Sequence, residues 1–350
     1  MSELHFLVPG DLDTPTGGYQ YDRRIIQGLR ARGVSLALHR LDDSFPFPGE
    51  DALAAAARVL AGIPDGATVV IDGLAYAPLL AYLQPRHRLV ALIHHPLASE
   101  TGLPDGLREG FRQRERAALA LATRVIVTSP ATARELHADY GIAEDNIGVA
   151  VPGTPRQVSL SAPPDSGPLH MLCVATITPR KGHHILLEAL AGMHGLDWHL
   201  TCVGSLDRDP ATAAALQHQL RATELESRVR LLGAVAPGQL DAHYRSAGLF
   251  VLPSYHEGYG MVLAEALSFG LPIVSTTAGA IPDTVPPTAG LLLPPGDSQA
   301  LRRALTMLVE QPSRRLALAA EARRAAQQLP SWDDAIQCFA SELPGECHYE

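Results

Sequence analysis

The sequence predicts an α/β chain of two Rossmann-like domains. Short apolar runs alternate with helical patterns along most of its 350 residues, the order that builds parallel sheets. The length is large for one domain and comfortable for two. A single stretch, Pro152 to Pro168, is rich in proline and glycine and poor in apolar residues, so it divides the alternation once. The expected organisation is residues 1–152, a linker over 153–168, a second domain over 169–328 and a closing segment over 329–350.

In the first half, Leu4 to Val8 reads as a strand, followed by a loop that ends in Gly17-Gly18. A helix is expected from Tyr19 to Ala31, closed by Gly33. Glycines between a first strand and a first helix let backbone N–H groups approach an anion closely, although a Gly-Gly pair is more often only a turn. The spacing is not G-x-G-x-x-G, which disfavours a dinucleotide-dependent dehydrogenase. Further strands are expected at Val34–Leu38, Thr68–Ile71, Leu89–Ile93, Arg124–Ser129 and Ile147–Val151. The fourth of these six runs into His94-His95, at the strand end where ligands of parallel sheets gather. Helix Leu107 to Ala122 carries Arg108, Arg112, Arg114 and Arg116, with Glu109 and Glu115 as expected partners on a solvated face.

In the second half, strand Leu169–Ile177 runs into Thr178-Pro179-Arg180-Lys181-Gly182. Lys181 is the only lysine among 28 cationic residues, a compact point charge suited to one phosphate oxygen. Two adjacent cations in a turn are ordinarily surface charge; here the turn joins a strand to a helix, where cations can meet a diphosphate. Trp198 to Val203 is a strand ending in the glycine turn at Gly204, and Val229 to Leu232 is another. Leu249–Leu252, a glycine turn through Gly258-Tyr259-Gly260, a helix from Met261 to Leu267, a stop at Gly270-Leu271-Pro272 and a strand Ile273–Thr276 form the most informative unit. Glu257 lies in its turn and Glu265 in its helix, with seven residues between them. A helix N-terminus suits phosphate, whereas a carboxylate suits sugar hydroxyls. Acids on both sides of such a point suit a ligand with hydroxyls at each end and phosphate between, as in a nucleotide-sugar. Ala300 to Gln328 reads as helical, and Ser331 caps a last helix opened by Trp332.

Net charge −9 argues against nucleic acid as a partner. The first ten residues read as a strand and not as a signal peptide, and no apolar run reaches spanning length. Cys173, Cys202, Cys338 and Cys347 lack metal-ligand spacing, so a reduced, cytoplasmic protein is expected.

The run His256-Glu257-Gly258-Tyr259-Gly260 through Glu265-Ala266-Leu267 and Gly270-Leu271-Pro272 resembles the E-x7-E signature of the retaining GT-B glycosyltransferases of family 4. That resemblance covers nearly the whole chain and implies two Rossmann-like domains facing a cleft, with the last helix crossing back onto the first domain. It assigns Glu257 to the transferred sugar and Glu265 to the ribose. It assigns Lys181 to the donor phosphates, with Arg180 standing in for an arginine that relatives carry five residues before the lysine, where this chain has Thr176. Gly17, Gly18, Gly204, Gly258, Tyr259 and Gly260 fall with the donor-binding residues. His94, or less directly His95, falls near the sugar and acceptor. The implied reaction moves a sugar, from a UDP-sugar on family frequency, to a saccharide, lipid-linked glycan or small-molecule acceptor. No metal or other cofactor is expected, because cations and backbone dipoles take that role. A weak contact with an anionic membrane through the arginine-bearing helix is a further implication. The alternatives are a sugar-nucleotide epimerase of the same architecture and a non-catalytic sugar-nucleotide-binding protein.

Overall fold

The computed structural model describes residues 3–157 and 167–345. It consists of two units, Met1–Gly153 with Pro330–Glu350, and Thr154–Leu329. Most of the expected linker, residues 158–166, lies outside the described residues, as does Cys347.

In the first unit the chain alternates through β1 (Leu4–Pro9), α1 (Gly17–Ala31), β2 (Leu36–Leu41), α2 (Glu50–Gly62), β3 (Thr68–Asp72), α3 (Gly73–Tyr76), β4 (Arg88–Ile93), α4 (Asp105–Leu119), β5 (Arg124–Val127), α5 (Pro130–Tyr140) and β6 (Ile147–Val149). Its six strands are parallel and ordered β2-β1-β3-β4-β5-β6. The order reverses between β1 and β3, so the loops after those strands diverge and leave a crevice at their carboxyl ends. The central strands are buried throughout, from Phe6 and Leu7 to Val69–Ile71 and Leu89–Leu92, as a sheet covered on both faces requires.

The second unit runs β7 (Leu169–Val174), α6 (His183–Leu190), β8 (Trp198–Val203), α7 (Pro210–Ala222), β9 (Val229–Leu231), α8 (Pro237–Ser246), β10 (Leu249–Leu252), α9 (Met261–Ser268), β11 (Ile273–Thr276), α10 (Ile281–Thr284), β12 (Gly290–Leu293), α11 (Ser298–Glu310) and α12 (Pro312–Ala326). Its sheet, β12-β11-β10-β7-β8-β9, is parallel throughout and has the dinucleotide-fold strand order, with the reversal between β7 and β10. The fold is therefore α/β with two Rossmann-like units. The last helix, α13 (Trp332–Ser341), belongs to the first unit and packs on α1. Its capping box joins Ser331 and Asp334. Gly28 permits the approach, since a Cβ there would lie 2.2 Å from Ile336 Cδ1, and Phe339 fills the space between Phe6 and Tyr21.

Several elements differ from the sequence expectation. Gly17 and Gly18 form the first turn of α1 and not a loop before it, because Thr16 takes the cap position and accepts the Tyr19 N–H. The helix expected over 300–328 is two helices broken at Gln311, since Pro312 has no N–H to continue the ladder. On α4, Glu115 is not a surface partner of the arginines. It is buried, and its carboxylate accepts the Leu97 and Ala98 N–H groups and the Tyr140 hydroxyl. Arg108 donates to the carbonyls of Ala98 and Leu103, and Arg116 to that of Asp139. Among the described residues no helix is long and apolar enough to cross a membrane.

Candidate active site

The second unit carries its polar cluster at the strand reversal. β7 ends beneath a short 3-10 turn, Pro179–Lys181, which Gly182 closes in the left-handed region at φ 69°. A side chain at Gly182 would place its Cβ 2.1 Å from Pro253 O, so the turn after β7 and the turn after β10 touch through backbone alone. Tyr255 N–H donates to Arg180 O at 2.7 Å and fastens the same pair of turns. Lys181 and Glu257 meet as a consequence. The ammonium nitrogen lies 2.7 Å from Glu257 Oε1 and 2.9 Å from Oε2. Arg180 Nη1 donates to His256 O at 2.8 Å and stands 3.7 Å from Glu257 Oε2.

Glu257 is only 5% exposed. Burial alone would push its carboxyl upward, but Lys181 and Arg180, with hydrogen bonds from Lys181 and Ser254, outweigh that and hold it at about 2. The Ser254 hydroxyl donates at 2.6 Å, and Ser254 O is itself held by Thr276 Oγ1 at 2.7 Å. From the far side Ala280 N–H donates to Glu257 O at 2.8 Å. Gly279, at φ 57°, lies so close that its Cβ would be 2.3 Å from that same oxygen. Thr277 to Asp283 loosely resembles the family's Gly-Gly-x-Pro-Glu turn, altered at several positions, but neither its support of Glu257 nor the Ser254 bond is legible in sequence, since no local pattern says which groups meet.

Glu265 lies one turn into α9, half-buried, and accepts the Tyr244 hydroxyl at 2.9 Å. Burial raises its carboxyl to about 7 against the lowering effect of Tyr244. Gly260 opens α9 at φ 83° with no side-chain cap on the helix start. Tyr259 is buried, and its hydroxyl is pushed up to about 12 by burial, with Thr154 beside it opposing the shift. Gly258 lies within the same turn. Gly204 has a packing reason of its own, as a Cβ there would lie 1.9 Å from Ala175 O, and its N–H donates to Gly233 O at 2.9 Å.

The first unit carries a second cluster at its own reversal. His94 directly follows β4, and its Nε2 lies 3.1 Å from Asp22 Oδ1 and 3.4 Å from Asp72 Oδ2. Asp22 follows Gly18 by four residues and shares its face of α1, while Asp72 ends β3 and caps α3 by accepting Leu74 N–H at 2.8 Å. Gly18 lies against the imidazole, 3.4 Å from ring to Cβ position. Burial drives the His94 proton off, but the two aspartates outweigh it and raise the ring to about 10. Burial raises Asp22 to about 7 despite His94. His95 turns instead to Glu100 at 2.8 Å, so the structure separates the two histidines. The aspartates were legible only as a strand-end acid and a helix residue one turn beyond Gly18.

Cys173, His183 and Cys202 also place three ligand atoms within 4.8 Å of one another, in the core beside β7 and β8.

The chain matches the family model for glycosyl transferases group 1 over residues 161–325 and that for glycosyltransferase family 4 over residues 14–157. Together they span both units, and the chain belongs to the GT-B glycosyltransferases of group 1. It is 31% identical to the D-inositol 3-phosphate glycosyltransferase of Arthrobacter sp. (strain FB24) over 214 residues, 55% of this chain and 50% of that protein. It is 26% identical to the MMP alpha-(1->4)-mannosyltransferase of Mycolicibacterium hassiacum over 306 residues, 82% of this chain and 72% of that protein. The chain thus spans about half the length of curated relatives such as the Arthrobacter protein. Among solved structures, sucrose-phosphate synthase from Thermosynechococcus elongatus is similar with a TM-score of 0.81 at 20% identity, over 97% of this chain and 98% of that one. Anabaena HepE in complex with UDP and glucose is similar with a TM-score of 0.76 at 20% identity, over 97% and 99%. At these identities the likeness is one of fold.

Proposed function

We propose that the protein transfers a glycosyl unit from a nucleotide-sugar to an acceptor hydroxyl, with retention at the anomeric carbon as the family resemblance implies. The observation that carries this reading is the Lys181–Glu257 pair at the reversal of the second sheet. Lys181 and Arg180 contribute two positive charges against the one negative charge of Glu257, so the cluster keeps a net positive charge where a diphosphate must leave. Glu257, held ionised, accepts hydrogen bonds from sugar hydroxyls, and its committed oxygens make it a poor nucleophile. The uncapped start of α9 adds backbone donors for phosphate. Glu265 accepts the ribose hydroxyls alongside Tyr244. His94 with Gly17 and Gly18 is the substrate-facing set of the first unit.

The HepE structure contains UDP, and a matched relative in Corynebacterium glutamicum is named for GDP-mannose. We favour UDP as the base. The acceptor belongs to the saccharides, lipid-linked glycans or small molecules. Calorimetry with UDP, GDP and ADP tests the reading first: one diphosphate should bind well above the others, and Lys181→Ala should abolish the heat. Binding of none would remove the proposal. Incubating UDP-sugars and GDP-mannose with candidate acceptors and weighing the products then names the reaction. Interconversion of a donor without acceptor would identify an epimerase instead.

A further inference from the structure

Family resemblance points to His94, or less directly His95, yet the structure surrounds His94 with two carboxylates that no pattern assigned. We propose that Asp22 and Asp72 are positioning residues that keep His94 a doubly protonated cation, with Nε2–H committed to them, so that it meets substrate as a hydrogen-bond donor through Nδ1 and not as a general base. This rests on the reading of His94 as a substrate-facing group.

The geometry leaves the ring few alternatives. Both aspartates address the same nitrogen, at 3.1 and 3.4 Å, and they are 0% and 2% exposed. Two carboxylates this deep cannot both stay ionised without a cation between them. One proton kept by the acid pair and a second on the imidazole make the cluster neutral, the arrangement burial favours. Asp72 is fixed by the Leu74 N–H on its other oxygen, and Asp22 by its place on α1. Two uncharged residues also pack on the ring. Gly18 lies against its Cδ2 edge, and Tyr21 packs against it in a T-shaped pair at 5.5 Å with its hydroxyl donated to Ala150 O. Thr128 Oγ1 donates to the His94 carbonyl. The raised titration of the ring agrees with this picture.

The test is 15N-histidine NMR of the full chain from pH 5 to 9.5, with His94 assigned by its loss in His94→Gln. Both ring nitrogens should stay protonated to about pH 9, and Asp22→Asn or Asp72→Asn should lower the midpoint by ~1–3 pH units. A wild-type ring that titrates below pH 7.5, or a midpoint unmoved in both variants, overturns the proposal. If Asp22→Asn fails to fold, the wild-type titration and Asp72→Asn still decide it. Consumption of UDP-glucose and GDP-mannose gives a second readout. The pH profile of kcat/KM in the folded variant should acquire a limb falling toward alkali that Asp72→Glu suppresses, and an unchanged profile counts against the proposal. Should neither donor be consumed, the ring titration still judges the aspartates, while the transfer reading stands or falls on diphosphate binding.

Discussion

The two units solve the same electrostatic problem with opposite signs. Each buries a polar cluster where its strand order reverses. In the second unit a carboxylate, Glu257, is surrounded by two cations and a hydroxyl; in the first a histidine, His94, is surrounded by two carboxylates. A lone charge at either place would be neutralised by burial, and its partners prevent that. The difference matters for chemistry. The second cluster leaves a positive excess suited to a diphosphate, while the first is self-neutralising and presents a fixed donor.

The comparison breaks most sharply at Lys181. Lys181→Ala should lower transfer at least ~100-fold by removing charge stabilisation of the leaving group. From sequence, that variant and Glu257→Ala are expected to keep the fold. The structure revises this for lysine, because its loss strips the closest partner from a buried carboxylate, at a cost of ~3 kcal/mol. Adding Glu257→Gln to Lys181→Ala should recover most of the melting temperature and none of the activity. Recovery of activity would place the chemistry elsewhere.

Opposite signs also predict opposite pH responses. Glu257 titrates below its unfolded value, so its contribution is present above about pH 4.5 and is lost as pH falls toward 2. It amounts to ~3 kcal/mol at neutral pH, since a tenfold change in acid strength corresponds to about 1.4 kcal/mol. Asp22 and His94 titrate above their unfolded values, so their contributions are complete at low pH. That of Asp22 is lost as pH rises from 3.8 through about 7, and that of His94 from 6.5 through about 10. Hydrogen exchange read by peptide should therefore show the turns around Glu257 loosening first in acid and those around His94 loosening first in alkali. The same order in both units would undo the comparison.

Gly279→Ala should cost ~2 kcal/mol or more, because its Cβ would strike Glu257 O from a left-handed backbone. Thermal melts measure that, and an unchanged melt would show that the Gly279 turn does not hold Glu257. Smallest is the effect at Glu265, whose carboxyl ionises near pH 7. If it accepts ribose hydroxyls, UDP affinity should rise a few-fold between pH 6 and 8, and Glu265→Gln should flatten the dependence. A pH-independent affinity in the wild type would separate Glu265 from the nucleotide.

Much of this protein follows from local order. Strand, turn and helix alternation, the glycine stops and the E-x7-E spacing are short-range features, and they placed both sheets, Lys181 in its turn and Glu257 at the end of β10. Helix α7 and strand β12 escaped notice. The former, Pro210–Ala222, has a weak apolar stripe, and the latter is a glycine and three leucines with no β-branched residue to mark a strand. What local order could not supply was which side chains meet. Lys181 and Glu257 stand 76 residues apart and meet because β7 and β10 lie side by side at the sheet reversal; His94 and Asp22 stand 72 apart and meet because α1, which follows β1, and the end of β4 lie on either side of β3. Residue type and spacing set the elements and their charges; close packing of those elements set the partners, and with them the protonation state on which the chemistry depends.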